Sequence, residues 1–200
     1  SLLSKKTRGE SVVVSIRMGI GSEQSLHGLG SVAKATTAML MRGTSKFSRQ
    51  QIQDEFDNLK AQARVSGGKD WLVASITTTK TNLPAALDLM YKVLSDPGFD
   101  ETEFAQYKST LKVDIEKNLQ DPQRLAFNEY SRKQNPYKKG HPHYRDTFEE
   151  QLESLDKLEL TDLKSFHQSF FGGNNMKIGI VGDFDQKQIT AKLTSLFSMW

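Results

Sequence analysis

Ala63 to Thr79, ARVSGGKDWLVASITTT, folds back on itself. Ala63 to Ser66 and the threonine-rich run Trp71 to Thr79 have the composition of strands, and Gly67-Gly68-Lys69-Asp70 between them supplies the turn of a hairpin. Upstream, Val12 to Ile20 (VVVSIRMGI) is β-branched and apolar, which predicts a mostly buried strand. Between these strands, a helix is expected from about Leu29 to Met41, stopped by Arg42-Gly43-Thr44. A second helix follows, opened by a Ser48 and Gln51 capping box and marked by Ile52, Phe56 and Leu59.

Downstream of the hairpin, Leu83, Leu87, Met90 and Leu94 mark a helix ended by Asp96-Pro97-Gly98. Asp100 and Glu103 cap a longer one with the inner stripe Phe104, Tyr107, Leu111, Ile115 and Leu119, and Asp121-Pro122 restarts the helix. Asn135 to Asp146 (NPYKKGHPHYRD) is the longest loop, followed by amphipathic segments Glu149 to Leu158 and Thr161 to Phe171, a strand Met176 to Val181 and a helix from Gln186. Strands do not alternate with single helices, so a doubly wound parallel sheet is disfavoured. An α+β fold is expected, a two-layer domain of mostly antiparallel sheet covered by helices, with residues 1–200 forming one domain. Ser1 begins almost directly on a strand-like segment and Trp200 ends an amphipathic one without a polar tail, so the chain reads as a piece of a longer, multi-domain protein.

Several functions are excluded or disfavoured by composition. There is no cysteine, so disulfides and thiolate metal sites are excluded, and zinc would need ligands among four histidines and the carboxylates. The net charge of +3 comes from 27 basic and 24 acidic residues spread along the chain, without the basic stripe of a nucleic-acid binder. No apolar run approaches the roughly 20 residues of a membrane span, and no signal segment opens the chain. A soluble domain is expected; the compartment of the parent is open, with a bacterial periplasm one candidate. Gly19 to Gly21 and Gly172-Gly173 lack the spacing of phosphate-binding loops, so no nucleotide is implied.

Ala33 to Thr44 (AKATTAMLMRGT), followed by Ser48-Arg49-Gln50-Gln51-Ile52, resembles the signature segment of the insulinase/pitrilysin zinc metallopeptidases. Leu59 to Trp71, Leu83 to Pro97, Asn135-Pro136-Tyr137 with His141-Pro142, and Ile178 to Asp185 (IGIVGDFD) resemble further family segments in the family's order. In active members the first helix carries H-x-x-E-H, which places two imidazoles on one helical face to hold zinc beside a carboxylate that polarises its water. By this resemblance Lys34 and Ala38 stand at the histidine positions, Thr37 at the glutamate and Asp114 near the third ligand.

Alanine has no donor atom, threonine is no carboxylate base, and a protonated lysine repels a dication. The domain itself is therefore expected to be catalytically inactive and to hold no metal. No histidine lies from Gly28 to Gly140 to change this. On a helical wheel Asp114 lies within about 20° of Tyr107, on the inner stripe, so a Lys34–Asp114 pair replacing the metal is one reading; the other, which the cost of burying an ion pair favours, is that both charges reach solvent. His141 and His143 are expected to serve the loop rather than a metal; His27 and His167 are isolated, and Lys138-Lys139 is solvated.

The resemblance further implies paired halves closing around a chamber, with zinc in one half. This chain then belongs to the non-catalytic half of a zinc metalloendopeptidase, enclosing and positioning a peptide opposite a half, in the same chain or another subunit, with an intact motif. The hairpin strand near Arg64, Val65 and Ser66 is the candidate for pairing with extended substrate, its default role being a structural sheet edge. A structural assembly subunit and an isolated peptide-binding module are the alternatives.

Overall fold

A computed structural model describes residues 1–200. A short strand β1 (Leu2–Ser4) and a 3-10 turn lead into β2 (Ser11–Gly19). In β2, Val12, Val14, Ile16 and Met18 are fully buried, while Val13, Ser15 and Arg17 are exposed. The run expected to be mostly buried is thus buried on one face only, because successive strand side chains point to opposite faces and the core packs against one of them.

Helix α1 (Gly30–Met39) tightens into a 3-10 turn at Leu40–Arg42, and α2 (Arg49–Asn58) starts on the expected reciprocal Ser48 and Gln51 capping box. The hairpin is β3 (Gln62–Gly67) and β4 (Trp71–Thr79). Its turn is tight: a Cβ on Gly67 would lie 2.7 Å from the Trp71 carbonyl oxygen, and one on Gly68 would lie 2.6 Å from the Trp71 indole nitrogen. Glycine is required there by space.

The second half supplies α3 (Leu83–Ser95), α4 (Glu101–Leu119), α5 (Pro122–Lys133), α6 (Phe148–Asp156), α7 (Leu160–Phe170), β5 (Met176–Gly182) and α8 (Gln186–Phe197). Asp100 caps α4 and Asp121 caps α5, each accepting from backbone N–H groups of the first turn.

The five strands lie in the order β1-β5-β2-β4-β3. β2 runs antiparallel to β4 and β5, β3 antiparallel to β4, and only β1 pairs in parallel, with β5. The fold is α+β, with eight helices and one mostly antiparallel sheet. The main core of 27 buried residues joins the inner sheet face to α3 and α8, and includes Ile16, Ile76, Leu87, Met90 and Ile189. A second cluster of eight joins α1 to α4, α6 and α7 through Ala35, Met39, Phe104, Ile115, Leu155 and Leu163. Helix α1 is wedged between the two, with Ala33 in the first and Ala35 and Met39 in the second.

Candidate functional site

The wedge leaves one stripe of α1 free. Lys34 and Ala38, one turn apart, are exposed, while Thr37 beside them is buried. Thr37 packs on the hairpin, its methyl 2.8 Å from where a Cβ on Gly67 would stand, and its Oγ1 has no hydrogen-bond partner. Two residues of an i, i+4 pair therefore share an open face, the geometry two metal-binding imidazoles need, but neither carries a metal donor.

Asp114 does not join them. It is exposed on α4, and no ion pair links it to Lys34 within 4.0 Å. The buried stripe of α4 centres on Phe104, Leu111 and Ile115. Tyr107 marks its edge, about 60° from that centre at 100° per residue, so Asp114, about 80° from it, turns outward. The Lys34–Asp114 pair is absent for this reason, and both side chains are exposed. The charged groups acting on Lys34 are Lys69, Asp146 and Arg145; desolvation first, then the Lys69 charge, holds its amine below the ordinary lysine value.

The space in front of α1 is closed by the hairpin turn and the long loop. Lys69 Nζ donates to the Tyr144 carbonyl at 2.7 Å and pairs with Asp146 Oδ2 at 2.8 Å. Its stem crosses Gly30, whose Cβ would stand 2.7 Å from Lys69 Cδ. The loop braces itself: Tyr137 stacks on His141 at 4.0 Å between ring centroids, His143 N–H donates to His141 Nδ1 at 2.9 Å, and Gly28 N–H donates to the Gly140 carbonyl at 2.7 Å. His141 Nε2 lies 2.8 Å from Glu23 and His143 Nε2 lies 3.4 Å from Asp70. Each histidine thus lies against a carboxylate from another segment, and the two tie the loop to the chain before α1 and to the hairpin turn.

What results is a cleft of about 740 Å³ that runs from the hairpin turn across α1 to α5 and the loop. Arg17, Lys34, Lys69, Arg124 and Arg145 line it, against Asp70 and Asp146. Trp71 and Phe127 flank it, 37% and 61% exposed, and the Arg145 guanidinium lies 5.7 Å from the centre of the Phe127 ring. A smaller pocket of about 160 Å³ lies below Lys34, walled by Tyr107, Leu111, Ile115, Leu155 and Leu158. Burial raises the Tyr107 phenol above its usual value.

Zinc does not fit this donor set. Lys34, Thr37, Ala38 and Asp114 offer a single carboxylate, turned away, and no group of three or more His, Asp or Glu side chains is arranged to hold an ion. Sequence reasoning located Lys34 but missed Arg17, Lys69, Arg124 and Arg145, which come from four other segments and carry no shared spacing. The charge that looked dispersed along the chain is gathered here. Of the substrate-strand candidates, Arg64 is exposed, Ser66 is half-buried, and Val65 packs against the main core; all three lie on β3, the edge strand that pairs only with β4.

The domain is thus a one-sided α+β sheet with α1 packed against the β3 hairpin, and comparison with known proteins places it in a family. A family model described as Insulinase (Peptidase family M16) matches residues 2–144, and one described as Peptidase M16 inactive domain matches residues 157–200. The chain belongs to the insulinase family, peptidase family M16. It is 20% identical over 197 residues to an uncharacterized zinc protease of Rickettsia bellii, covering 94% of this chain and 45% of that protein. Among solved structures, a peptidase M16 inactive domain from Pseudomonas fluorescens superposes with a TM-score of 0.82 at 25% identity, covering 98% of this chain and 47% of the other. A protease from Helicobacter pylori shares the fold at 18% identity, with a TM-score of 0.80 over 98% of this chain and 46% of its own. The chain thus spans less than half the length of these relatives.

No helix is long and apolar enough to cross a membrane.

Proposed function

We propose that residues 1–200 form one non-catalytic domain of a zinc metalloendopeptidase, which encloses a peptide and positions it opposite a half that carries the zinc. The observation that carries this reading is α1: in a member of the insulinase family, Lys34 and Ala38 share the exposed stripe and Thr37 lies buried beside them, so the helix keeps a metallopeptidase shape without a ligand or a base. Lys34, Thr37 and Ala38 stand in for the two histidines and the glutamate, and Asp114 stands near the third ligand. Peptide hydrolysis of this kind needs a Lewis acid and a general base, both of which the partner half supplies, whether in the same chain or another subunit.

The free edge of β3 is the surface offered to substrate. Arg64 and Ser66 face away from the core there, and an extended peptide adds to such an edge by main-chain hydrogen bonds.

Metal analysis after dialysis against dilute zinc tests the assignment. No bound zinc is expected for the chain alone, with peptide hydrolysis arising only when a protein bearing an intact H-x-x-E-H motif is added. One tightly bound zinc per chain, or hydrolysis by the chain alone, would overturn it.

A further inference from the structure

The cleft over α1 holds charge that the protein itself does not neutralise. Lys69 is taken up by Asp146, and Asp70 lies against His143. Arg17, Lys34, Arg124 and Arg145 have no carboxylate within 4.0 Å, and none of their side chains donates a hydrogen bond. The five Lys and Arg side chains of the lining exceed its two carboxylates by as much as the whole chain's net charge of +3. Outside the cleft, acidic and basic residues balance. Clefts lined by one sign of charge focus potential and concentrate ligands of the other sign.

Three further features narrow the ligand. At about 740 Å³ the cleft falls within the range of roughly 300–1,000 Å³ that suits a small ligand or a few residues of chain. Among the amides of the lining, Asn128 and Gln151 donate to the Asp146 carbonyl and Asn135 to the His143 carbonyl, which leaves the Asn118 amide to pair with a peptide backbone. The sheet itself contributes Arg17 and Trp71 to the lining, beside Gly68, Lys69 and Asp70 of the turn that directly follows β3. The Gly67 end of β3 therefore adjoins the cleft. Asp70 and Asp146 oppose a phosphate backbone, which carries a charge on every residue, more than they oppose scattered carboxylates.

From this we infer that the degenerate metal cradle is an acidic-residue subsite: Lys34, Arg145, Arg17 and Arg124 take Asp or Glu side chains, or a terminal carboxylate, of a peptide lying along β3. The inference rests on the peptide-enclosing role proposed above and gives it a substrate class. Lys34 is the central group. It has no carboxylate within 4.0 Å, and Asp146, which pairs with Lys69, offsets only part of what burial and the Lys69 and Arg145 charges cost its ammonium; a bound carboxylate supplies charge-assisted hydrogen bonds there.

Fluorescence anisotropy with three labelled peptides of one length, rich in Glu, Gln or Lys, tests this on the chain, on a Lys34→Gln/Arg145→Gln variant and on a Lys5→Gln/Lys6→Gln variant. Lys5 and Lys6 are exposed near the first strand, outside the cleft lining, so the two variants lose the same charge. The Glu peptide is expected to bind at least about tenfold more tightly than the Gln peptide. The cleft variant should lose that preference and the control variant keep it, with unchanged thermal melts showing that both are folded. Equal affinity for Glu and Gln peptides, equal loss in both variants, or displacement of the Glu peptide by oligo-dT at matched charge would overturn the inference. A Val65→Pro variant separates this failure from that of the wider reading. If peptides bind regardless of charge and lose affinity with that variant, the edge strand receives substrate and only the acidic subsite fails. If no peptide binds, the peptide-enclosing role fails with it.

Discussion

Under the sheet, Val12, Val14, Ile16, Leu72, Ala74 and Ile76 come from two paired strands and are fully buried, whereas the cleft over α1 takes Arg17, Lys34, Lys69, Arg124 and Arg145 from five separate segments. The first region is held by area removed from water, roughly 25 cal/mol per Å². The second leaves four cations without a carboxylate partner within 4.0 Å. Cores follow every local rule of stability, and departures from those rules collect at functional sites. The contrast therefore divides the molecule into a part that keeps the fold and a part that meets a ligand, and substitutions in the two should have separable effects.

The largest effect is expected in the core. Ile16 is fully buried between β4 and β5, and Ile16→Ala should lower unfolding free energy by about 2–5 kcal/mol, read by urea denaturation. Lys34→Gln, on the exposed stripe, should leave stability unchanged or slightly raised. If the two variants lose similar amounts, the division between fold and site is wrong.

A smaller effect of opposite sign is expected at Thr37, where the two regions meet. Its hydroxyl is buried without a partner, which costs roughly 1–3 kcal/mol relative to a satisfied group. Thr37→Val keeps the shape and removes the orphan donor, so thermal stability should rise, by about 1 kcal/mol. A fall would show that the hydroxyl is satisfied in solution.

The same contrast explains what could be read in advance. Strand and helix positions follow from periodicity and caps: Ser48 with Gln51, Asp100, Asp121-Pro122 and the Gly67-Gly68 turn all act locally, and each stands where expected. The open outer face of the sheet was not legible, because Val12 to Val14 are alike in sequence and only the placement of the helices decides that Val13 meets water. Of the residues that line the cleft, only Lys34 was legible, through the helix that carries it. Asp114 was misplaced since the wheel referred it to Tyr107, at the margin of the stripe. Arg17, Lys69, Arg124 and Arg145 converge through tertiary packing, and no spacing along the chain records it.

The smallest effect concerns His167, a polar group inside the part that keeps the fold. It is buried between Phe99 and Phe171, and its Nε2 lies 2.8 Å from the Leu94 carbonyl oxygen. Burial lowers its affinity for a second proton below the ordinary value, with the bond to Leu94 and the charge of Asp96 opposing this only in part. The unfolded chain therefore takes up that proton first as pH falls below about 6.5. The contribution of neutral His167 to stability is complete above that pH and is lost as pH falls toward the lowered folded-state value, since stability rises with pH wherever the unfolded state binds more protons. Thermal melts from pH 8 to pH 5 should show a shallower decline for His167→Phe than for the parent chain, even though the variant leaves the Leu94 carbonyl without its donor and starts lower at pH 8. Parallel declines would mean that His167 accepts its proton in the folded state as readily as in the unfolded one, and the second cluster would then be open to water in a way the sheet core is not.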